Sequence, residues 1–338
     1  MKIIQHDDEL SEKYESAKKY VNEKDIFIDI ETTGFSKEFC RIYLISLCTL
    51  RDGIIHAVQF LSDSEDDEKD ILTSAFNFIS DFENMITYNG RAFDLPFLKR
   101  RSEVQNISCP IDNKKDTDLY RIAKNLHFLY DGVGLKLKSI EKFLGIKRTD
   151  EKNGGELIKE YQKYIALIEN DRANNSAEID RLENELLLHN YEDVINLVPL
   201  MVLFEYQKLL KPKVTIEKFE VTEREIFFSG KTNANITNPF FLKNDYCFLN
   251  FDRKNIKGTV KFVNGKLRYY LPDYKNYFYL PDENTILPKQ FASAIPKNRR
   301  RAATMEECFV EKSPEEIDEK LLKAYADNVI KNLIRYGT

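Results

Sequence analysis

Six residues, Ile26-Phe27-Ile28-Asp29-Ile30-Glu31, constrain this chain more than any others. A run this dense in β-branched and aromatic residues forms a strand, and alternate side chains of a strand share a face. Ile26, Ile28 and Ile30 then enter a core, while Asp29 and Glu31 project together from the other side. Adjacent carboxylates repel, and protonation or a cation must relieve them. Oxygen-rich clusters of this kind suit Mg²⁺ or Mn²⁺. A solvated sheet face would carry the same pair without any chemistry, so the reading depends on partners elsewhere in the chain.

Residues 41–50 and 54–60 read as the next two strands, joined by Asp52-Gly53, a strong short-hairpin signal. The sheet is therefore expected to begin as an antiparallel meander. Residues 1–24 read as a charged leader forming one helix. The acidic run 62–70 is a solvated first turn ahead of Ile71, Leu72, Ala75, Phe76 and Ile79, which have helical spacing. A short strand at 85–88 and a helix at 93–101 follow. Helical periodicity recurs at 118–126, 137–144 and 156–168, and over 177–210 with a break near Asn190 and a bend at Pro199. Strands first and helices after them describe an α/β domain with a mixed sheet.

Beyond Pro212 the texture changes to aromatic and β-branched runs at 213–229, 246–250, 258–263 and 267–271, with Asn264-Gly265 marking a type I′ hairpin. Ser313-Pro314-Glu315-Glu316 has the form of a capping box opening a final helix. Its apolar stripe is Ile317, Leu321, Tyr325, Val329 and Leu333. The expected division is residues 1–210 as the α/β domain and 211–338 as a smaller β-rich domain ending in a helix.

The charge is divided in the same way. The whole chain carries 51 Lys/Arg and 56 Asp/Glu, a net of −5, yet residues 211–310 hold 18 basic and 11 acidic residues. In this basic segment Lys266, Arg268 and Lys275 interleave with tyrosines, and Arg299, Arg300 and Arg301 follow. That pattern fits either a single-strand platform or a small β-domain with half-buried tyrosines. With 42% hydrophobic and 32% charged residues, long disorder is not expected. No apolar run approaches the ~20 residues that span a bilayer, and residues 1–19 lack the apolar core of a signal peptide. Five cysteines without a C-x-x-C pair point to a reduced, cytoplasmic chain without structural zinc.

Two further segments could complete the acidic pair. In Tyr88-Asn89-Gly90-Arg91-Ala92-Phe93-Asp94 a strand end, a turn and a helix start bring Asp94 to the end of the sheet, where it serves equally as a helix cap. In His189-Asn190-Tyr191-Glu192-Asp193, the histidine and aspartate are four apart and share a helix face, a spacing also common in surface pairs.

In this order, D-x-E-T-T-G, N-x3-F-D and the final His-plus-Asp segment resemble the DEDD 3′–5′ exonucleases of the ribonuclease-H-like superfamily. The stretches IDIETTGF…IYLIS, YNGRAFDLPFL, LKSIEKFLGI and HNYEDVINL are similar to the bacterial YprB-like branch. The resemblance covers roughly residues 25–210. It implies a ribonuclease-H-like mixed sheet flanked by helices and a two-metal exonuclease acting on DNA or RNA, at single-stranded ends. Asp29, Glu31, Asp94 and Asp193 would be the metal-binding carboxylates, with Mg²⁺ or Mn²⁺ as the two cations. One ion would be shared by Asp29, Glu31 and Asp193, the other by Asp29 and, directly or through water, Asp94.

Thr32, Thr33 and Phe35 lie where relatives contact the terminal nucleotide, and Asn89 and Phe93 where they hold the strand; Phe35 and Phe93 read equally as core residues. The general base of such enzymes is a tyrosine four residues, or a histidine five residues, before the last aspartate. This chain has His189 four before Asp193, a histidine in the tyrosine position. Imidazoles ordinarily titrate at ~6.5, which makes His189 the candidate base, or else a partner of Asp193 alone. Asp116 and Asp118 read as helix caps. An endonuclease with the same site, or a nucleic-acid-binding scaffold that no longer turns over, are the other functions this pattern admits.

Overall fold

The computed structural model describes residues 1–130, 134–271, 273–304 and 306–336, with the backbone alone at Asp171, Arg335 and Tyr336. It divides into two compact units, Met1–Phe204 and Glu205–Thr338.

The first unit is a mixed α/β fold around one six-stranded sheet. Its strands are β1 (Lys2–Glu9), β2 (Asp25–Thr32), β3 (Ile42–Arg51), β4 (Ile54–Leu61), β5 (Asn84–Thr87) and β6 (Lys115–Asp118). Their order across the sheet is β1-β4-β3-β2-β5-β6. The β1–β4, β4–β3 and β3–β2 pairs are antiparallel, and β2–β5 and β5–β6 are parallel. Asp52 and Gly53 both have positive φ (51° and 86°), the conformation a two-residue hairpin needs to follow the strand twist.

Helices cover both faces. On one side α1 (Glu68–Ile79) and α2 (Asp94–Val104) pack Ile71, Leu72, Ile79, Leu95 and Leu98 against Ile26, Ile28 and Ile30. On the other side, after α3 (Leu119–Asn125) and α4 (Leu137–Leu144), come α5 (Gly154–Asp171) and α6 (Ser176–Ile195). They bury Leu157, Tyr161, Tyr164, Ile179, Leu182 and Leu186 with Tyr43, Leu44 and Leu61. Alternation in β2 thus sends its isoleucines to the first layer and Asp29 and Glu31 toward the second. Short helices α7 (Leu197–Leu200) and α8 (Leu203–Gln207) follow.

Two expectations fail here. Residues 1–24 form an edge strand and a 3₁₀ turn at Glu12–Tyr20 rather than one helix. The free edge of β4 offers a backbone ladder that outweighs local propensity, and the charged residues of β1 suit a sheet edge. The 177–210 stretch is not broken near Asn190; α6 runs through it and ends at Ile195. The fully buried Asn190 amide accepts from Ser46 Oγ and donates to Asp29, so tertiary hydrogen bonds offset its weak helix propensity. Among the described residues no single helix is long and apolar enough to cross a membrane.

The second unit is β-rich and closes with a helix. β7 (Val214–Val221), β8 (Glu225–Lys243) and β9 (Cys247–Lys261) form an antiparallel meander. The expected single run at 213–229 is two strands, because the Thr222 hydroxyl accepts from the Glu225 N–H (3.1 Å) and turns the chain. The expected runs at 246–250 and 258–263 belong instead to one strand, β9. β10 (Leu267–Tyr270) pairs with β14 (Phe309–Lys312), and β11 (Tyr277–Leu280) sits between β12 (Thr285–Pro288) and β13 (Arg301–Ala302).

Asn264 and Gly265 adopt the positive φ of a type I′ turn, but it closes only the Val263↔Lys266 bridge, since β10 goes to β14. The Glu316 carboxylate accepts from the Ser313 N–H on a separate 3₁₀ turn at Pro314–Glu316, ahead of α9 (Glu319–Tyr336). α9 buries Leu322, Tyr325, Val329 and Leu333 and packs on β7, β8 and β10.

Gly230 of β8 lies close against the backbone of β7. A Cβ there would sit 2.0 Å from the Thr215 carbonyl oxygen, and backbone cannot rotate away as a side chain can. Gly230→Ala is expected to destabilise the second unit by about 1–3 kcal/mol or more through overpacking, read as a lowered denaturant midpoint against wild type.

Candidate functional site

The first element of the site is the end of β2. Its parallel ladder with β5 ends at Phe27↔Ile86. Past that point the Ile30 N–H donates to Asp94 Oδ1 (3.2 Å), which fixes the first residue of α2 against the end of β2. On the β3 side the register shifts between Glu31 and Thr32, where the strand leaves the sheet.

The second element is α6. Its buried stripe is apolar at Ile179, Leu182 and Leu186 and turns polar at His189 and Asn190 as the helix reaches the end of β2. Asn190 Nδ2 donates to Asp29 Oδ2 (2.5 Å), while Gln59 Nε2 donates to Ser46 Oγ (2.9 Å) and to the Leu187 carbonyl (3.1 Å). His189 Nε2 lies 3.5 Å from both Glu31 Oε1 and Asp193 Oδ2. One donor atom from each of Glu31, His189 and Asp193 falls within 4.8 Å of the others.

The third element, the 145–153 connection between α4 and α5, carries no motif, and sequence reasoning missed it. His189 Nδ1 lies 2.6 Å from Asp150 Oδ2. Glu192 accepts from the backbone N–H of Thr149 (2.8 Å) and of Asp150 (2.9 Å), which pins this connection to α6. The buried Arg148 guanidinium contacts Asp193, Asp150 (3.1 Å) and Glu141 (3.2 Å) and donates to the His189 carbonyl (3.3 Å). The only sequence signal for this group was a cation two residues before an acid, which many loops share.

The electrostatics follow from this crowding. Burial, and then the charges of Asp193, Asp94 and Glu31, push the Asp29 carboxyl well above its ordinary value. Burial, then Asp193, Asp94 and Asp150, do the same to Glu31, with Arg148 opposing. Asp94 is raised by burial to about 7, its backbone hydrogen bonds opposing and Asp118 and Asp193 adding to the rise. Asp150 goes the other way. Burial would raise it, but the Lys138 ammonium (2.7 Å) and His189 bring it down to about 2. Asp150 can accept from Nδ1–H of His189, and Nε2 then faces Glu31 and Asp193. The donor set, four carboxylate side chains and one imidazole with excess negative charge, suits divalent cations of the Mg²⁺ or Mn²⁺ type.

The structure therefore brings Asp29, Glu31, Asp94, His189 and Asp193 to one place. Asp118 is an N-cap, accepting from Tyr120 N–H (3.0 Å) and from Asn89 N–H (2.8 Å), and Asp116 pairs with Arg91 (2.7 Å). Asn89 has a positive φ of 64°, and its backbone, through Asp118, ties the turn before α2 to α3. The hydroxyls of Thr32 and Thr33 serve the loop itself. The first donates to the Gly34 carbonyl (2.7 Å), and the second accepts from Arg41 N–H (2.9 Å). Phe35 is 86% exposed and meets the half-buried Phe93 edge-on, with ring centroids 6.3 Å apart.

Residues 26–205 match the family model described as the RNase_H superfamily. No curated protein matches the chain. Among solved structures, the family B DNA polymerase of Pyrobaculum calidifontis is similar over 55% of this chain and 24% of its own, at 16% identity and a TM-score of 0.39. The chain thus spans about a quarter of that polymerase. Exonuclease I of E. coli, in complex with a dA16 oligonucleotide, is similar over 92% of this chain and 70% of its own, at 10% identity and a TM-score of 0.32.

A carboxyl that the fold holds protonated stabilises the folded state below its ordinary pKa and loses that contribution as pH rises through its folded value. For Asp94 the window runs from 3.8 to about 7, so metal-free stability should decline across it. Asp94→Asn keeps an acceptor for Ile30 N–H and removes the charge. It is expected to raise the melting temperature in chelator at pH 7.5, by about 2–4 °C per kcal/mol regained. The gain should vanish toward pH 4, as followed by thermal scans at both pH values.

Proposed function

The chain belongs to the RNase_H superfamily, and from that membership we propose that it is a two-metal 3′–5′ exonuclease of the DEDD type, in the YprB-like branch. The observation that carries this reading is the convergence of Asp29, Glu31, Asp94 and Asp193 at the end of β2, with His189 Nε2 directed among them. Asp29, Glu31, Asp94 and Asp193 would hold two divalent cations. Bound there, the cations supply Lewis-acid stabilisation of the scissile phosphoryl group and of the leaving 3′-oxygen.

The chain's own residues do the rest. His189 accepts a proton from the attacking water at Nε2, and Asp150 at Nδ1 keeps the imidazole in the tautomer that can do so. The water oxygen bonds to phosphorus, the P–O3′ bond breaks, and the released 3′-oxygen takes up a proton. Arg148 ties Asp193 and Asp150 together and holds them in register with α6. Asn190 orients Asp29. The exposed Phe35, braced by Phe93, offers a ring on which the terminal base can stack.

The test is incubation with 5′-labelled single-stranded DNA and RNA in Mg²⁺, Mn²⁺ or chelator. A ladder shortening from the 3′ end is expected, absent in chelator and in Asp29→Asn, and the preferred sugar identifies the substrate. Internal cuts would make the protein an endonuclease. Tight binding without cleavage under both metals would make it a scaffold. His189→Gln should lower kcat by about 10²–10⁴ at little cost in KM. Phe35→Ala should raise KM and leave kcat near wild type.

A further inference from the structure

The β7–β8–β9 meander has α9 on one face and solvent on the other. Its solvent face exposes three large rings, Phe227 (41%), Phe241 (55%) and Phe248 (44%). Strand register places Ser229 between Lys218 and Lys257, and Lys231 two residues further along β8, between Thr215 and Asn255. Neighbouring strands lie about 5 Å apart, so the three lysines occupy a patch roughly 10 Å across.

Among the described residues Lys218 and Lys257 form no ion pair, and Lys231 donates only to the neutral Asn255 amide (2.6 Å). Glu225 on this face stands opposite Lys261, and Glu220 lies beyond the lysines, opposite Phe227. Lys218, Lys231, Lys257 and Lys261 thus outnumber Glu220 and Glu225 on this face and Glu217 in the adjoining bulge, and Phe227 borders the lysines. Toward the other end of the sheet, Phe241 and Phe248 stack on each other at 5.5 Å, with Lys243 Nζ 5.9 Å from the Phe241 ring.

The tyrosine-rich segment that the sequence singled out is built differently. Several rings in and beside it are engaged by the chain's own cations, and Tyr269 and Tyr270 pack on Tyr325 and Phe309. Lys289 and Arg300 lie over Phe278 (5.3 and 4.8 Å), Arg301 over Tyr279 (4.5 Å), and Arg268 over Tyr246 and Phe309 (4.9 and 4.7 Å). On the meander, Phe227 is an exposed ring beside the lysines, and the Phe241–Phe248 stack near Lys243 stays about half exposed. A protein partner would favour a continuous apolar patch. Rings separated by lysines and asparagines match a ligand that alternates flat faces with anionic groups.

We infer that the solvent face of this sheet binds single-stranded nucleic acid, with Lys218, Lys231 and Lys257 along the sugar–phosphate chain and Phe227, Phe241 and Phe248 stacked on bases. The inference rests on the reading that nucleic acid is this protein's substrate, but it requires no turnover. Binding is measured on the full chain in chelator by fluorescence anisotropy of labelled dT15 and U15, and the two arms distinguish DNA from RNA.

The triple variant Phe227→Leu/Phe241→Leu/Phe248→Leu should weaken binding about tenfold or more, while the corresponding Phe→Tyr triple retains it. The triple variant Lys218→Gln/Lys231→Gln/Lys257→Gln should flatten the slope of log affinity against log salt by about 2, at roughly 0.7 per phosphate contact. Unchanged melting temperatures identify these as surface effects. Wild-type affinity in both the Leu and the Gln triples overturns the inference, as does no binding of either oligonucleotide by the wild type. Loss in the lysine variant alone overturns the stacking platform. If the carboxylate site proves inactive while both triples lose binding, this surface stands and the exonuclease reading falls. Metal-dependent shortening with undiminished binding in both triples gives the reverse.

Discussion

Everything in the first unit depends on holding like charges together out of water. The proton affinities of Asp29, Glu31 and Asp94 are raised by burial and by the carboxylates around them, Asp193 among them. A fold relaxing freely would separate them. Here the separation is blocked on three sides. The β2 backbone sets Asp29 and Glu31 two residues apart on one face, the Ile30 N–H holds Asp94, and α6 is anchored through Asn190, Ser46 and Gln59. The stability that such an arrangement forgoes without a cation is recovered when one binds, since binding to the folded state alone stabilises it.

Arg148 is the counterweight. Its guanidinium is nearly buried and reaches Asp193, Asp150, Glu141 and Glu192, so it neutralises the outer carboxylates and leaves the inner ones in excess. Asp150 is held low beside His189 by the Lys138 ammonium, while Asp29 and Glu31 stay raised even though Arg148 opposes the rise at Glu31. The loop that carries Arg148 and Asp150 is itself fastened by Glu192, one residue before Asp193. The residues that position the imidazole and those that crowd it are thus coupled through a single turn of α6.

The legible parts of the sequence were those with a local period or a motif. Strand alternation separated Ile26, Ile28 and Ile30 from Asp29 and Glu31 because the sheet is covered on both faces. Asp52-Gly53 announced its hairpin because a positive φ at both residues demands that chemistry. The N-terminal strand was illegible because an edge strand can be charged throughout, and only the free edge of β4 makes it a strand. Asn190 misled because its helix propensity is poor, and the compensating partners lie 144 and 161 residues away. Arg148 and Asp150 carried no motif for the same reason. Their roles exist only once α6 returns beside the loop, 39 residues after Asp150 in the His189 pairing.

The two units use one device, the alternating strand, toward different ends. In the first, both faces of the sheet are covered, so the polar positions of β2 are forced into a buried cluster whose chemistry comes from desolvation. In the second, α9 covers one face of the meander and the other stays wet, with lysines and phenylalanine rings exposed on it. Charge buried without solvent favours a small hard cation, because only a close counter-charge replaces lost hydration. Charge left in solvent favours a long polyanion, because its gain comes from releasing counterions rather than from any single contact. On the proposed readings, the sign and the burial of the two clusters would select complementary halves of one ligand chemistry, a cation at one and a phosphate chain at the other.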